Sequence, residues 1–312
     1  RNVRGDKDAG WPQVEGVRIL TTAANTNQNI IRKVPLFLDA IKFHESVFAL
    51  PFAYIGMFLA ADGFPGWHAF IWITVAMVSA RTVGMAANRI IDRHIDAKNP
   101  RAAVRHLPSG LLKVGEMVGL TAVALVVFIF AAAQLNTLAL ILAPFAAAYL
   151  ILYPFTKRFT WAANLLLGWA LAISPSAAWI GVQGSLSIQP VLISLAVAFW
   201  AGSFDILYHT QDRSFHLKEG LHSGASRFGI VNAFRFARTL DTLAIGVLVT
   251  LGVWMTLSWP YFVGCGGAVA FLLYKYSLVN PSDLSRMGLA FARINAYISS
   301  TMLAGTLAAI YL

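Results

Sequence analysis

The sequence is poor in what a water-soluble domain depends on. Only 12% of its 312 residues are charged and 58% are hydrophobic, whereas an ordinary globular domain carries about a quarter charged residues. With a mean hydropathy of +0.65, this excludes both a soluble globule and a disordered chain. Cysteine is nearly absent. Cys265 stands alone inside an apolar run, so no intrachain disulfide forms and no redox compartment is readable. Strict alternation of apolar and polar residues is also lacking, and the long apolar blocks argue against an outer-membrane barrel. Negative charge is scarce, with 14 Asp+Glu against 24 Lys+Arg and a net charge of +10. In a membrane chain such a surplus belongs to cytoplasmic loops facing anionic lipid, not to nucleic acid. What remains is an all-α, polytopic membrane protein.

A membrane-spanning helix needs about 20 mostly apolar residues. Nine candidate spans lie near 44–61, 68–91, 114–133, 137–155, 160–180, 188–208, 232–256, 259–279 and 288–311. The first begins too late for the apolar core of a cleavable signal. The expected organisation is a cytoplasmic tail over 1–41, flexible or lying on the membrane surface, followed by a nine-helix domain over 42–312. The connecting loops divide by charge. Residues 61–67, 134–137, 181–187 and 257–260 contain no Lys or Arg, and all 24 basic residues fall toward the other side. The positive-inside rule then puts the N-terminus in the cytoplasm, and nine spans put the C-terminus outside, in a bacterial-type inner membrane.

Several polar residues interrupt this apolar plan. The second span ends in Asn88, Asp92 and Asp96 at i, i+4 and i+8, one ridge of a helix, with Arg81 on nearly the same face. Asp205, Tyr208 and Asp212 close the sixth span at i, i+3 and i+7, again on one face. Both ridges leave the membrane on the basic side, so they can face each other across one central cavity. Charges at membrane depth are costly and turn toward cavities with partners. Carboxylates one turn apart repel unless a cation lies between them, and Mg²⁺ takes one or two carboxylates plus substrate phosphates. Two acidic ridges ringed by basic residues therefore suit a magnesium diphosphate, with Lys98, Arg101, Arg105, Lys157 and Arg158 as the cations. Tyr153 and Lys157, at i and i+4, are expected to point inward together. The last three spans hold little internal charge and are expected only to close the bundle.

The stretch NRIIDRHIDAKNPRAAVRHLPSG at 88–110 resembles the first signature of the UbiA superfamily of intramembrane prenyltransferases, and FDILYHTQDRSFHLKEGLHSGASRFG at 204–229 resembles the second. YPFTKR at 153–158 and KFHESVFALPF at 42–52 are also similar to family segments. The first signature is most similar to that of 4-hydroxybenzoate polyprenyltransferases, with chlorophyll- and haem-type prenyltransferases as the alternatives. The resemblance implies nine helices around a cavity and Mg²⁺-dependent transfer of a polyprenyl chain from its diphosphate to an aromatic acid, in quinone biosynthesis. It makes Asn88, Asp92 and Asp96 one set of metal-binding residues and Asp205 and Asp212 the other, with Lys157, Arg158, Arg101 and Arg105 on the diphosphate. Arg81, deeper than the first ridge, is the candidate for the acceptor carboxylate; neutralising Asp92 is its other reading. Tyr153 and Tyr208 line the site or pack in the core.

The chain also departs from the pattern. His216 stands where the second signature normally carries another Asp, and His is a poor Mg²⁺ ligand. Glu219 is the nearest replacement oxygen. Ala102 and Val104 stand where the family tends to show Thr and Gly, and HSGASRFG lacks the usual proline. A catalytically weakened, pigment- or quinone-binding subunit of a larger membrane complex is the alternative these departures open.

Overall fold

The computed structural model describes residues 30–43 and 50–312. Its helices, in chain order, are α1 (Ile30–Ala40), α2 (Leu50–Ala61), α3 (Trp67–Lys98), α4 (Val114–Leu135), α5 (Thr137–Leu152), α6 (Ala163–Gln183), α7 (Ile188–Tyr208), α8 (Arg213–Lys218), α9 (Gly224–Trp254), α10 (Trp259–Leu278), α11 (Met287–Leu289) and α12 (Asn295–Tyr311). Short 3₁₀ turns, Tyr153–Arg158 and His209–Asp212, follow α5 and α7. The all-α expectation is met. The count of nine spans is not reproduced: among the described residues seven helices, α3 to α7, α9 and α10, are long and apolar enough to cross a membrane.

The two shortfalls have different origins. Within the expected first span, residues 44–49 lie outside the described residues and α2 supplies only 12. The ninth expected span is broken in register by a π turn at Ala290–Ile294, leaving 17 residues in α12. Such turns insert one residue into the i→i−4 ladder and collect at functional sites. The early part of the expected tail, residues 1–29, also lies outside the described residues. Its last part is α1, which docks Phe37, Ala40 and Ile41 against Ala86 of α3 and against Leu112 and Met117. A 2.5 Å Lys33–Glu116 ion pair ties it to α4.

Without a hydrophobic drive between helices in lipid, close approach depends on small residues. Gly168 of α6 lies so near α7 that a Cβ there would strike the carbonyl oxygen of Ala198. Gly264 and Gly305 bring α10 and α12 together in the same way. α7 is the most enclosed span, packed between α6 and α9, and α12 returns to α2. Gly229 (φ 79°) breaks α9 just inside its start and separates the Ser223-capped first turn from the spanning part.

The little charge that the last spans hold includes one buried pair. Asp241 of α9 and Lys275 of α10 form a buried 2.6 Å ion pair. The Tyr276 hydroxyl donates to the same carboxylate oxygen at 2.6 Å, and Arg238 lies over the Tyr276 ring.

Candidate active site

α3 is 32 residues long and so carries its acidic end past the membrane-spanning stretch. The i, i+4 and i+8 spacing holds, and Asn88, Asp92 and Asp96 line one polar cavity of about 200 Å³. Across it stand Asp205 and Tyr208 from the end of α7 and Asp212 from the following 3₁₀ turn. Arg81, Tyr153, Lys157, Arg101 and Arg105 line the same cavity. The acidic residues on α3 and at the α7 end thus face one another, as the two ridges require. Tyr153 and Lys157 do share the cavity, though on a 3₁₀ turn rather than the α-helical face that their spacing implied.

Asp92 meets nitrogen donors from the turn after α5, whereas Asp96 and Asp212 meet donors from the loop after α3. Asp92, 1% exposed, receives Lys157 on one oxygen and Arg158 on the other at 3.3 Å. Asp96 receives Arg105 at 2.7 Å, and Asp212 receives Arg101 at 2.5 Å and Asn99 at 3.2 Å. The Arg101 guanidinium also lies 4.6 Å from the centre of the Tyr208 ring, a cation–π arrangement that holds its plane. The Lys157 carbonyl accepts from the His222 N–H at 2.7 Å, which joins the α5–α6 loop to the α8–α9 loop. Lys98 and Arg158 are not among the lining residues. Lys98 reaches outward to Glu219 at 2.7 Å, and Arg158 also donates to the Ile91 carbonyl. Glu219, engaged there, does not take the place of an Asp at 216.

Sequence reasoning missed several groups. Asn164, at the start of α6, donates to Asp205 at 2.6 Å and accepts from the Gly224 N–H at 2.9 Å. His209, at i+4 from Asp205 and so on the same ridge, has its ring nitrogen 3.3 Å from that carboxylate. Buried His216 stacks obliquely 5.3 Å from His209 and contacts the Ser223 hydroxyl at 3.2 Å. Asn295, immediately after the π turn, reaches the cavity from α12. A lone Asn in an apolar run was the available signal for both asparagines.

Among the described residues no three His, Cys, Asp or Glu side chains stand together as a ready metal cluster. The donor chemistry nevertheless fits a hard cation: four aspartates and Asn88 offer oxygen from two opposed sides. The lysine and arginine partners of Asp92, Asp96 and Asp212 are only partly buried, unlike Asp92 itself.

A second, apolar chamber of about 370 Å³ adjoins this cavity and shares Arg81, Met85, Tyr153 and Leu171 with it. Its walls come from α3 to α7 and include Ala76, Phe128, Ala132 and Ile180. Trp169 and Val191, both on its wall, are well exposed. A polar pocket therefore lies against an apolar chamber, with one arginine and one tyrosine lining both.

Comparison with known proteins finds similar chains and similar folds. The profile of the UbiA prenyltransferase family matches residues 49–300. A 4-hydroxybenzoate octaprenyltransferase of Aliivibrio fischeri is 31% identical over 243 residues, covering 77% of this chain and 84% of the relative. The one from Methylobacillus flagellatus is 33% identical over 259 residues, covering 82% and 86%. Among solved structures, the apo UbiA homolog of Aeropyrum pernix K1 superposes with a TM-score of 0.78 at 27% identity, over 85% of this chain and 98% of that one. A UbiA homolog of Archaeoglobus fulgidus bound to DMAPP and Mg²⁺ has the same fold, with a TM-score of 0.63 at 19% identity over 85% and 98% of the two chains.

Proposed function

The chain belongs to the UbiA prenyltransferase family, and on that premise we propose that it transfers a polyprenyl group from its diphosphate to an aromatic acid of the 4-hydroxybenzoate type, in quinone biosynthesis. The observation that carries the reading is the junction of two unlike cavities at Arg81 and Tyr153. A polyprenyl diphosphate has a matching division, with a charged head for the aspartate- and cation-lined pocket and an apolar chain for the chamber.

In this reading Asp92, Asp96, Asp205 and Asp212, with Asn88, hold Mg²⁺. The metal supplies charge neutralisation to a diphosphate that must leave with its electrons. Lys157, Arg101 and Arg105 turn from their carboxylates to the diphosphate oxygens and stabilise the negative charge growing there as the allylic C–O bond breaks. Arg158 and Lys98, at the rim, supply longer-range attraction. Arg81 sits where the head cavity meets the chamber and binds the acceptor carboxylate, presenting the ring to the allylic carbon; Tyr153 and Tyr208 flank that position. The ring carbon ortho to the hydroxyl forms the new bond, and a carboxylate or diphosphate oxygen takes the displaced proton. The chamber walls keep water from the cationic carbon. The far end of a long chain passes between helices into lipid.

The loop charge division supports a bacterial inner-membrane protein with a cytoplasmic N-terminus, the active site opening to the cytoplasm and the C-terminus outside. The direct test incubates the purified chain with a polyprenyl diphosphate, 4-hydroxybenzoate and Mg²⁺. Prenylated product that disappears on chelation and returns with added Mg²⁺ is expected. Failure with every hydroxybenzoate-type acceptor sinks the proposal.

A further inference from the structure

Asn164 stands in the first turn of α6 and is 2% exposed, yet it lines neither the apolar chamber nor the head-group cavity, the polar pocket that the four aspartates share. Its side-chain amide closes instead on one of those aspartates. Nδ2 donates to Asp205 Oδ2 at 2.6 Å, and Oδ1 accepts from the Gly224 N–H at 2.9 Å. The second bond settles which way the amide points. A backbone N–H can only donate, so the amide oxygen faces Gly224 and the amide nitrogen faces the carboxylate. His209 Nδ1 completes the group, 3.3 Å from the same carboxylate oxygen and 3.1 Å from the amide nitrogen.

Asp205 thereby differs from the other three aspartates. Asp92, Asp96 and Asp212 each meet a lysine or an arginine. Asp205, among the described residues, meets the Asn164 amide and the His209 ring instead. A lysine or arginine cancels the charge of its carboxylate and must be displaced before another cation takes its place. A neutral amide fixes the plane of the carboxylate and leaves its charge intact. Both contacts fall on Oδ2, so Oδ1 stays outside them. The amide also registers Asp205 against the rest of the site. Gly224 begins α9, and two residues earlier the His222 N–H holds the Lys157 carbonyl at 2.7 Å. One loop therefore carries both the anchor of Asp205 and the backbone of the lysine that meets Asp92.

We propose that Asn164 is a positioning residue of the metal site, holding Asp205 as a charged, oriented ligand for the Mg²⁺ of the diphosphate. The inference rests on the metal–diphosphate reading given above. Asn164 touches neither metal nor substrate in it and acts through Asp205. Hydrogen-bond partners that orient a metal's ligands are worth about 10- to 100-fold in metal affinity.

Mg²⁺ titration of the full chain in detergent with inorganic pyrophosphate present, followed by calorimetry, reads the metal site without turnover. Asn164→Ser, whose hydroxyl is too short to span both partners, should weaken Mg²⁺ binding about tenfold and raise the Mg²⁺ concentration for half-maximal rate by the same factor, with the KM for 4-hydroxybenzoate within about twofold of the parent. Asn164→Gln sets the amide one carbon further out and should move the Mg²⁺ affinity in the same direction. In an Asp205→Ala background, adding Asn164→Ser should change the Mg²⁺ affinity by less than about twofold, because the ligand it positions is gone. A further loss of about tenfold in that background, an unaltered Mg²⁺ affinity in folded Asn164→Ser protein, or failure of both Asn164 variants to fold would overturn the role and leave Asn164 a packing residue. Weakened Mg²⁺–pyrophosphate binding in a chain that prenylates no acceptor retains the positioning role and removes the proposed reaction, whereas turnover with binding indifferent to the variants does the reverse.

Discussion

Asp92 with Lys157 and Asp241 with Lys275 are both buried carboxylate–lysine pairs on membrane helices, yet their surroundings are opposite. Asp92 is enclosed, but its partner is 20% exposed, comes from a short 3₁₀ turn and lines a cavity. Asp241 and Lys275 are 4% and 2% exposed at their side chains, come from two packed helices, and line neither the head-group cavity nor the apolar chamber. The first pair can exchange its cation for a ligand at little cost. The second can exchange nothing without leaving a charge stranded in apolar packing. An ionisable residue at membrane depth therefore suits a reactive site when its partner is partly exposed and beside space, and a fastener when both members are enclosed.

The contrast can be broken in four places. Asp92→Ala should lower prenyl transfer about 10⁴-fold, roughly 5.5 kcal/mol of barrier, with a thermal midpoint near the parent's because Lys157 and Arg158 can turn to water. Lys275→Ala should instead cost about 3–5 kcal/mol of stability by leaving Asp241 unpaired, seen as a depressed midpoint in detergent with unchanged KM in the folded fraction. The double change Asp241→Leu with Lys275→Met should recover most of that loss. Turnover abolished by Lys275→Ala at full stability would erase the distinction. Ala132→Phe, on the chamber wall, should cut kcat/KM for the longest prenyl diphosphates by about tenfold relative to short ones; a uniform loss across lengths would detach the chamber from the chain. His216→Asp should give the smallest effect, a two- to threefold drop in the Mg²⁺ concentration for half-maximal rate. No change would mean that this histidine serves packing against Ser223 and His209 alone.

Much of this was readable beforehand because it rests on short-range periodicity. Hydropathy locates the long spans, and the i+4 rule places Asn88, Asp92 and Asp96 on one face wherever the helix runs. What escaped depends on distant partners. Ile30–Ala40 is a short mixed segment with Pro35 inside, and its tertiary setting includes docking on α3 and α4 and a tether from Lys33. Asn164 looks like an isolated polar residue until Asp205, 41 positions later, closes on it. Lys275 counts among the loop cations by position, and only α9 reveals its buried carboxylate. The ninth span reads as one apolar run, and a π turn, having no compositional signature, divides it. The direction in which Lys98 turned, away from the cavity to Glu219, was likewise invisible, since a rim lysine has equal claim on either side.

Two ion pairs of the head-group cavity join residues far apart along the chain, with 65 positions between Asp92 and Lys157 and 111 between Arg101 and Asp212, whereas Arg105 follows Asp96 by only nine. While a ribosome is still threading the middle of this polypeptide into the bilayer, Asp92 has not yet met Lys157 or Arg158 and must wait in the aqueous mouth of the insertion machinery or at the headgroups. A chain arrested before α7 would hold only the α3 side of the head-group cavity, without Asp205, Tyr208 and Asp212. Late closure thus leaves the head-group cavity unassembled until most of the chain has been made.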